Sequence, residues 1–143
     1  MTIQEITSFD SQILESINQF ISQLTGESSL VSSHQIEEII ADNNSHLFFA
    51  INDQGAHMGM ISVGLYITPT GKKPWIEDVV VDNSYRGQGI GKQLMEFAIQ
   101  FTKEQKAATL MLTSNPARLS ANELYKKIGF KQKETNVYRI QFD

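Results

Sequence analysis

The sequence predicts a mixed α/β fold, a sheet with helices on its faces. Three features predict it. Apolar residues recur at helical spacing near the N-terminus, at Ile13, Ile17, Phe20 and Leu24. Two runs with strand character, His46–Ile51 and His57–Ile67, flank a short polar turn containing Gly55. From Trp75 onward strand-like and helix-like stretches alternate, which reads as β-α-β-α-β.

The elements follow in order. Thr2–Ile6 is predicted as a first strand. Ser8 or Asp10 caps the first helix, and Gly26 with the serine-rich stretch after it ends that helix. Ser32 and Gln35 form a capping-box pattern that opens a second helix through Ile36, Ile39 and Ile40, closed by Asp42-Asn43-Asn44. The two strands around Gly55 read as an antiparallel hairpin. Thr68–Pro74, rich in Pro, Gly and Lys, reads as a loop. Trp75–Val81 is a further strand, and its run Val79-Val80-Val81 suggests burial on both faces. A glycine-rich turn, Tyr85–Gly91, feeds a helix carrying Ile90, Leu94, Phe97, Ala98 and Phe101. Ala107–Thr113 reads as a buried strand, Ala117–Ile128 as a helix stopped by Gly129, and Phe130–Phe142 as final strand material. No repeat or low-complexity linker divides the chain, so residues 1–143 are expected to form a single domain.

Composition narrows the chemistry. The 143 residues include no cysteine, which excludes a disulfide scaffold, a thiolate metal site and a cysteine nucleophile. With 12 Lys+Arg against 16 Asp+Glu the net charge is −4, a poor match for duplex nucleic acid. No run approaches the roughly 18 apolar residues of a membrane span. Met1–Asp10 carries acids and no Lys or Arg, unlike a signal peptide, so the expected location is cytoplasmic. His34, His46 and His57 show no metal-ligand spacing, and no metal is expected.

The informative segment is Asp82-Asn83-Ser84-Tyr85-Arg86-Gly87-Gln88-Gly89-Ile90-Gly91-Lys92. Glycines at 87, 89 and 91 let backbone N–H groups approach a ligand closely. Those groups open a helix, where free amides and the dipole favour an anion, and Arg86 and Lys92 add positive charge. The segment reads as a phosphate cradle; a tight strand–helix turn with incidental glycines is the alternative. A P-loop is excluded, because Arg86 stands where its first Gly belongs and Gln93 follows Lys92. The spacing Gly-x-Gly-x-Gly also fails the dinucleotide fingerprint.

Arg86-x-x-Gly89-x-Gly91 resembles the acyl-CoA signature of the GNAT superfamily of N-acetyltransferases. Trp75-Ile76-Glu77-Asp78-Val79-Val80-Val81 looks like that family's fourth strand. Asn115, with the helix Ser120-Ala121-Asn122-Glu123-Leu124-Tyr125 running into Lys127-Ile128-Gly129-Phe130, looks like its second cofactor-binding segment. The resemblance implies a mixed, mostly antiparallel central sheet with helices on both faces and its fourth and fifth strands splayed. It implies acetyl-CoA as co-substrate, with backbone groups of Val79, Val80 and Val81 along the pantetheine arm. A bulge in that strand would aim an N–H at the thioester oxygen. Arg86, Gly87, Gln88, Gly89, Ile90, Gly91 and Lys92 would hold the pyrophosphate, and Asn115 and Asn122 would contact the cofactor. Tyr125 would stand near the sulfur as acid. A homodimer is common in the superfamily.

Amine acetylation needs a deprotonated amine, and alkyl amines are mostly protonated at neutral pH. A carboxylate attracts the cation and accepts its proton, directly or through water. Glu77 and Asp78 are the candidates, with Asp82 adding to the acidic side. In a regular strand Glu77 and Asp78 project to opposite faces, unless a bulge redirects them. Glu77 is favoured as base and Asp78 as the residue that orients substrate; strand-end carboxylates held in hydrogen bonds are the alternative.

The same segment is similar to glucosamine-6-phosphate N-acetyltransferases, and Lys72 or Lys73 would then meet a phosphate. A small-molecule primary amine, such as an amino sugar or polyamine, is the first expectation, and a protein lysine or N-terminus the second. A non-catalytic acyl-CoA-binding module is the alternative of another class. Trp75 is either acceptor lining or core. Only 13 residues follow Phe130 (143 − 130), short for the family's last two strands.

Overall fold

The computed structural model describes residues 1–28 and 30–143. Ser29, in the serine-rich stretch after Gly26, lies outside the described residues. The fold divides into two compact units, Met1–Thr113 and Ser114–Asp143.

The first unit is built on a four-stranded antiparallel sheet in the order β1-β2-β3-β4. Its strands are β1 (Thr2–Glu5), β2 (Ser45–Ile51), β3 (His57–Thr68) and β4 (Gly71–Val81). Three helices accompany it: α1 (Ser11–Thr25), α2 (Ser33–Ala41) and α3 (Ile90–Glu104). The helix starts follow from local chemistry. The Asp10 carboxylate accepts from the Ile13 amide at 2.8 Å and caps α1. Gly26, at φ 72°, ends it in the left-handed conformation that glycine adopts freely. The Ser32–Gln35 capping box forms in both directions and opens α2.

The sheet is covered on both sides. Ile13, Ile17 and Phe20 of α1 and Ile36 of α2 pack on Leu47, Phe49, Met60 and Val80. Phe20 meets Phe49 edge-on at 5.6 Å. On the opposite face Phe48 meets Phe97 and Phe101 of α3 at 4.9 and 5.1 Å. Leu47 to Ala50 are therefore all buried, with Leu47, Phe48 and Phe49 each contributing about 1.5–3 kcal/mol.

Three expectations about elements need correction. Thr68–Pro74 is not a loop: only Pro69 and Thr70 turn the chain, and Lys72, Lys73 and Pro74 pair with Ile67, Tyr66 and Leu65. Pro74 is tolerated because its nitrogen points to the outer edge of β4, the side on which its carbonyl accepts from Met111 N at 3.1 Å. Ala107–Thr113 is not a buried strand. It meets β4 only at a parallel bridge between Trp75 and Met111, so the expected splay of a fourth and fifth strand contracts to one contact. Pairing cannot extend toward Val81, because β4 bulges there and leaves its straight course. Phe130–Phe142 forms no strand either. Tyr138, Ile140 and Phe142 alternate as strand residues do, yet they are exposed and find no ladder partner among the described residues.

The second unit holds α4 (Leu119–Lys127), which ends ahead of Gly129 at φ 112°. No helix among the described residues is long and apolar enough to cross a membrane.

Candidate active site

The candidate site begins with an irregularity in β4. Ser62 lies opposite Glu77 and Met60 opposite Val80, so two steps on β3 face three on β4. The extra residue is a β-bulge, and Asp78 sits in it at φ 50°. Asp is one of the few residues with a side chain that enters this region, at a cost of about 1–2 kcal/mol. The bulge expected from the resemblance is present, and it leaves both Glu77 and Asp78 exposed. Partial withdrawal of the Glu77 carboxyl from water raises its pKa above 4.5, and the negative charge of Asp78 raises it further. A carboxyl shifted in this direction is a stronger base. Of the valine run only Val80 is fully buried; Val79 and Val81 are half-buried, correcting the expected burial on both faces.

Gly59 holds the strands together beside the bulge. A Cβ there would lie 2.5 Å from the Val80 carbonyl oxygen, so only glycine permits this approach. The pattern around the glycine turn does not include it. The signal was a glycine inside an apolar strand, which marks a bulge or a close backbone approach.

β4 then runs into the glycine turn. Asp82, expected to join Glu77 and Asp78 on an acidic face, is instead buried and fully engaged. One carboxylate oxygen accepts from the Ser84 amide at 2.8 Å and starts a short 3-10 turn, Asn83–Tyr85. The other accepts from the side-chain amide of Gln19 at 2.8 Å. Gln23 accepts from the Asn83 amide at 2.9 Å. These two glutamines of α1 were also missed, because nothing local links them to a turn some sixty residues away.

Gly87 and Gly89 both have φ 79°, and a Cβ on either would project into open space. Gly89 is the N-cap of α3 and provides no side-chain cap, so the first amides of the helix receive no local acceptor. Buried Ile90 anchors the start of α3. The Arg86 Nε donates to the Val81 carbonyl at 3.4 Å, and Lys92 stands 3.8 Å from Glu96 one turn on. Open ground, uncapped amides and two cations fit a pyrophosphate and the acyl carrier that bears it. Gly91 differs: its Cβ would make an ordinary 3.6 Å contact with Val81.

The first unit thus brings together Glu77, Asp78, Val79, Val80, Val81 and the segment Arg86–Lys92. Asn115, Asn122 and Tyr125 belong to the second unit. There the Asn115 side chain accepts from the Ala117 amide at 2.8 Å. Asn122 Nδ2 donates to the carbonyls of Asn115 and Arg118, both at 2.9 Å. Tyr125 is buried, its ring edge-on to Phe130 at 6.2 Å.

The other candidates take structural partners. The Lys72 ammonium donates to the Gln105 carbonyl at 2.7 Å, at the C-terminal end of α3. His34 pairs with Glu38, His46 with Glu5, and His57 with the Ser16 hydroxyl.

An antiparallel sheet with helices on both faces, leading through a bulged strand into a glycine turn at a helix N-terminus, defines an α/β acetyltransferase domain. The chain belongs to the acetyltransferase (GNAT) family, whose model matches residues 14–130. Among curated relatives, streptothricin acetyltransferase of Streptomyces lavendulae is 32% identical over 89 residues, 62% of this chain and 46% of its own. The peptidyl-lysine N-acetyltransferase YjaB of Salmonella typhimurium is 31% identical over 99 residues, 68% of this chain and 59% of its own. The chain therefore spans about half the length of these relatives. Glucosamine-6-phosphate N-acetyltransferase from Arabidopsis thaliana shares the fold over the full length of both chains, with a TM-score of 0.79 at 24% identity.

Proposed function

We propose that this chain is an acetyl-CoA-dependent N-acetyltransferase that moves an acetyl group directly to the primary amine of a small molecule. Residues 1–143 act in this reading as one N-acetyltransferase domain, in the cytoplasm. The observation that carries it is the sequence of features along β4: an exposed carboxyl with a raised pKa, a bulge, then an uncapped glycine turn.

Bound acetyl-CoA supplies an activated acetyl thioester. Amides of Gly87 to Lys92 hold its pyrophosphate, with Arg86 and Lys92 adding charge. Val79, Val80 and Val81 offer backbone groups to the pantetheine arm, and an amide of the bulge donates toward the thioester oxygen. Glu77 takes a proton from the incoming ammonium, directly or through water, and Asp78 orients the amine. The amine nitrogen forms the new bond to the acetyl carbon and passes its second proton to water as the carbon–sulfur bond breaks. Tyr125, by its place in the family pattern, gives the departing sulfur its proton. Asn115 and Asn122 contact the cofactor. With no cysteine in the chain, direct attack is the simplest route.

The test is calorimetric titration with acetyl-CoA, CoA and ATP, followed by thiol release across a panel of amines and lysine peptides. Acetyl-CoA binding with amine-dependent release supports the reading. Binding without release on any amine would turn it toward a non-catalytic acyl-CoA module, and failure to bind CoA would remove it.

A further inference from the structure

We propose that the outer half of the β3–β4 hairpin is the acceptor platform, and that it selects a small primary amine carrying an anionic group at its far end. The proposal rests on the N-acetyltransferase reading above and narrows its acceptor.

The register sets the platform. Glu77 lies opposite Ser62, Trp75 opposite Gly64 and Lys73 opposite Tyr66. Residues directly opposite share a face, and so do alternate residues along one strand. Leu47 lies opposite Ser62, and Phe49 opposite Met60, which identifies this face as the one packed against α1 and α2. The cover stops short of the hairpin tip: Met60 is 3% exposed and Tyr66 is 51% exposed. A carboxylate, an indole and an ammonium therefore stand in line on sheet beyond the core under α1 and α2, at steps of about 7 Å.

Each position suits part of an acceptor. Glu77 receives the amine. Trp75 is half-buried, and a Cβ on Gly64 opposite would meet nothing within 4 Å, so there is open ground beside the indole for a ring or an apolar body. Lys73 is half-buried on the same face, and among the described residues no carboxylate pairs with it. Lys72 alternates to the other face and is tied to the Gln105 carbonyl. Of the two lysines, only Lys73 shares the Glu77 face. Its flexible four-carbon stem can carry the ammonium to a phosphate or carboxylate on an acceptor seated between it and Glu77. A polyamine would bring a second ammonium against Lys73, a like-charge contact that discriminates against it. This narrows the acceptor from amino sugars or polyamines to amines that also bear an anion.

Matched pairs test the proposal: glucosamine 6-phosphate against glucosamine, and 4-aminobutyrate against putrescine. The anionic member of at least one pair is expected to have at least a tenfold higher kcat/KM, and which pair responds separates a phosphate from a carboxylate preference. Lys73→Glu is expected to erase that advantage while acetyl-CoA affinity and Tm stay at wild-type values, and Lys72→Gln is expected to keep it. Trp75→Leu is expected to raise KM for the sugar pair several-fold with kcat little changed. Transfer with equal kcat/KM within both pairs, or an unaltered ratio in Lys73→Glu, overturns the acceptor assignment alone. Acetyl-CoA binding with no thiol released on any amine overturns the transfer reading itself.

Discussion

The side-chain amide of Gln19, on α1, donates to the buried Asp82 carboxylate at 2.8 Å, tying the first helix to the turn that opens α3. A carboxylate withdrawn from water needs every such donor. Gln19→Leu removes one, at a cost of about 1.5–3 kcal/mol for a bond to a charged group. Scanning calorimetry is expected to show Tm lower by roughly 6 °C, at 2–4 °C per kcal/mol. An unchanged Tm would mean that water replaces the glutamine and that Asp82 is less enclosed than its burial indicates.

Gly89→Ala and Gly91→Ala should separate fold from ligand. Alanine at Gly89 is forced to φ 79° and projects a methyl into the open ground of the turn. It is expected to destabilise by about 1 kcal/mol and to weaken acetyl-CoA binding at least tenfold. Alanine at Gly91 makes an ordinary contact and gains up to about 1 kcal/mol of helix propensity, so Tm should rise. Paired calorimetric and thermal measurements check both.

The rate of the proposed transfer should show an acid limb set by Glu77, above the usual carboxylate range. Glu77→Gln is expected to lose this limb and at least 100-fold in kcat/KM. Asp78→Asn removes the neighbouring charge that raises Glu77, so its limb should move to lower pH. A raised folded-state pKa contributes stability below the unfolded-state pKa, and that contribution is lost as pH rises through the folded value. A limb unmoved in Asp78→Asn would indicate that desolvation alone sets the shift.

Tyr125→Phe is expected to lower kcat much more than it weakens acetyl-CoA binding, because only the phenolic hydroxyl is removed. The ring contact with Phe130 does not involve the hydroxyl, so stability should change little. Wild-type turnover in this variant, on a verified acceptor, would remove Tyr125 from the chemistry.

His57 accounts for a different pH response. Burial lowers its pKa below 6.5, with the charge of Asp10 partly opposing, and its Nδ1 lies 2.7 Å from the Ser16 hydroxyl. A depressed histidine stabilises the fold above its unfolded-state pKa, and the contribution is lost as pH falls through the folded value. His57→Phe should narrow the difference in Tm between pH 7 and pH 5.

The sequence carried what is local. Asp10, the Ser32–Gln35 box and the glycine turn act within four residues of themselves, and each stands where spacing predicted it. Pairing is not local. Lys72 and Lys73 read as loop residues by composition, and β3 makes them strand. Ala107–Thr113 is apolar enough for a strand, yet one bridge is all that the diverted edge of β4 accepts. By sequence Asp82 reads as one more acid beside Glu77 and Asp78, because the partner that engages it comes from α1, which spacing along the chain cannot reveal. Glu77 and Asp78 were legible as a pair, whereas their common exposure required the bulge.

The contact at Gly59 has an evolutionary side. Because the Val80 carbonyl occupies the place where a side chain would begin, almost no substitution is open at the root of the β3–β4 hairpin. Toward its tip the Cβ position of Gly64 is open, and Tyr66 is exposed. One hairpin thus combines a fixed end at the bulge with an open end that, if it is the acceptor platform proposed above, can be rewritten to accept another amine.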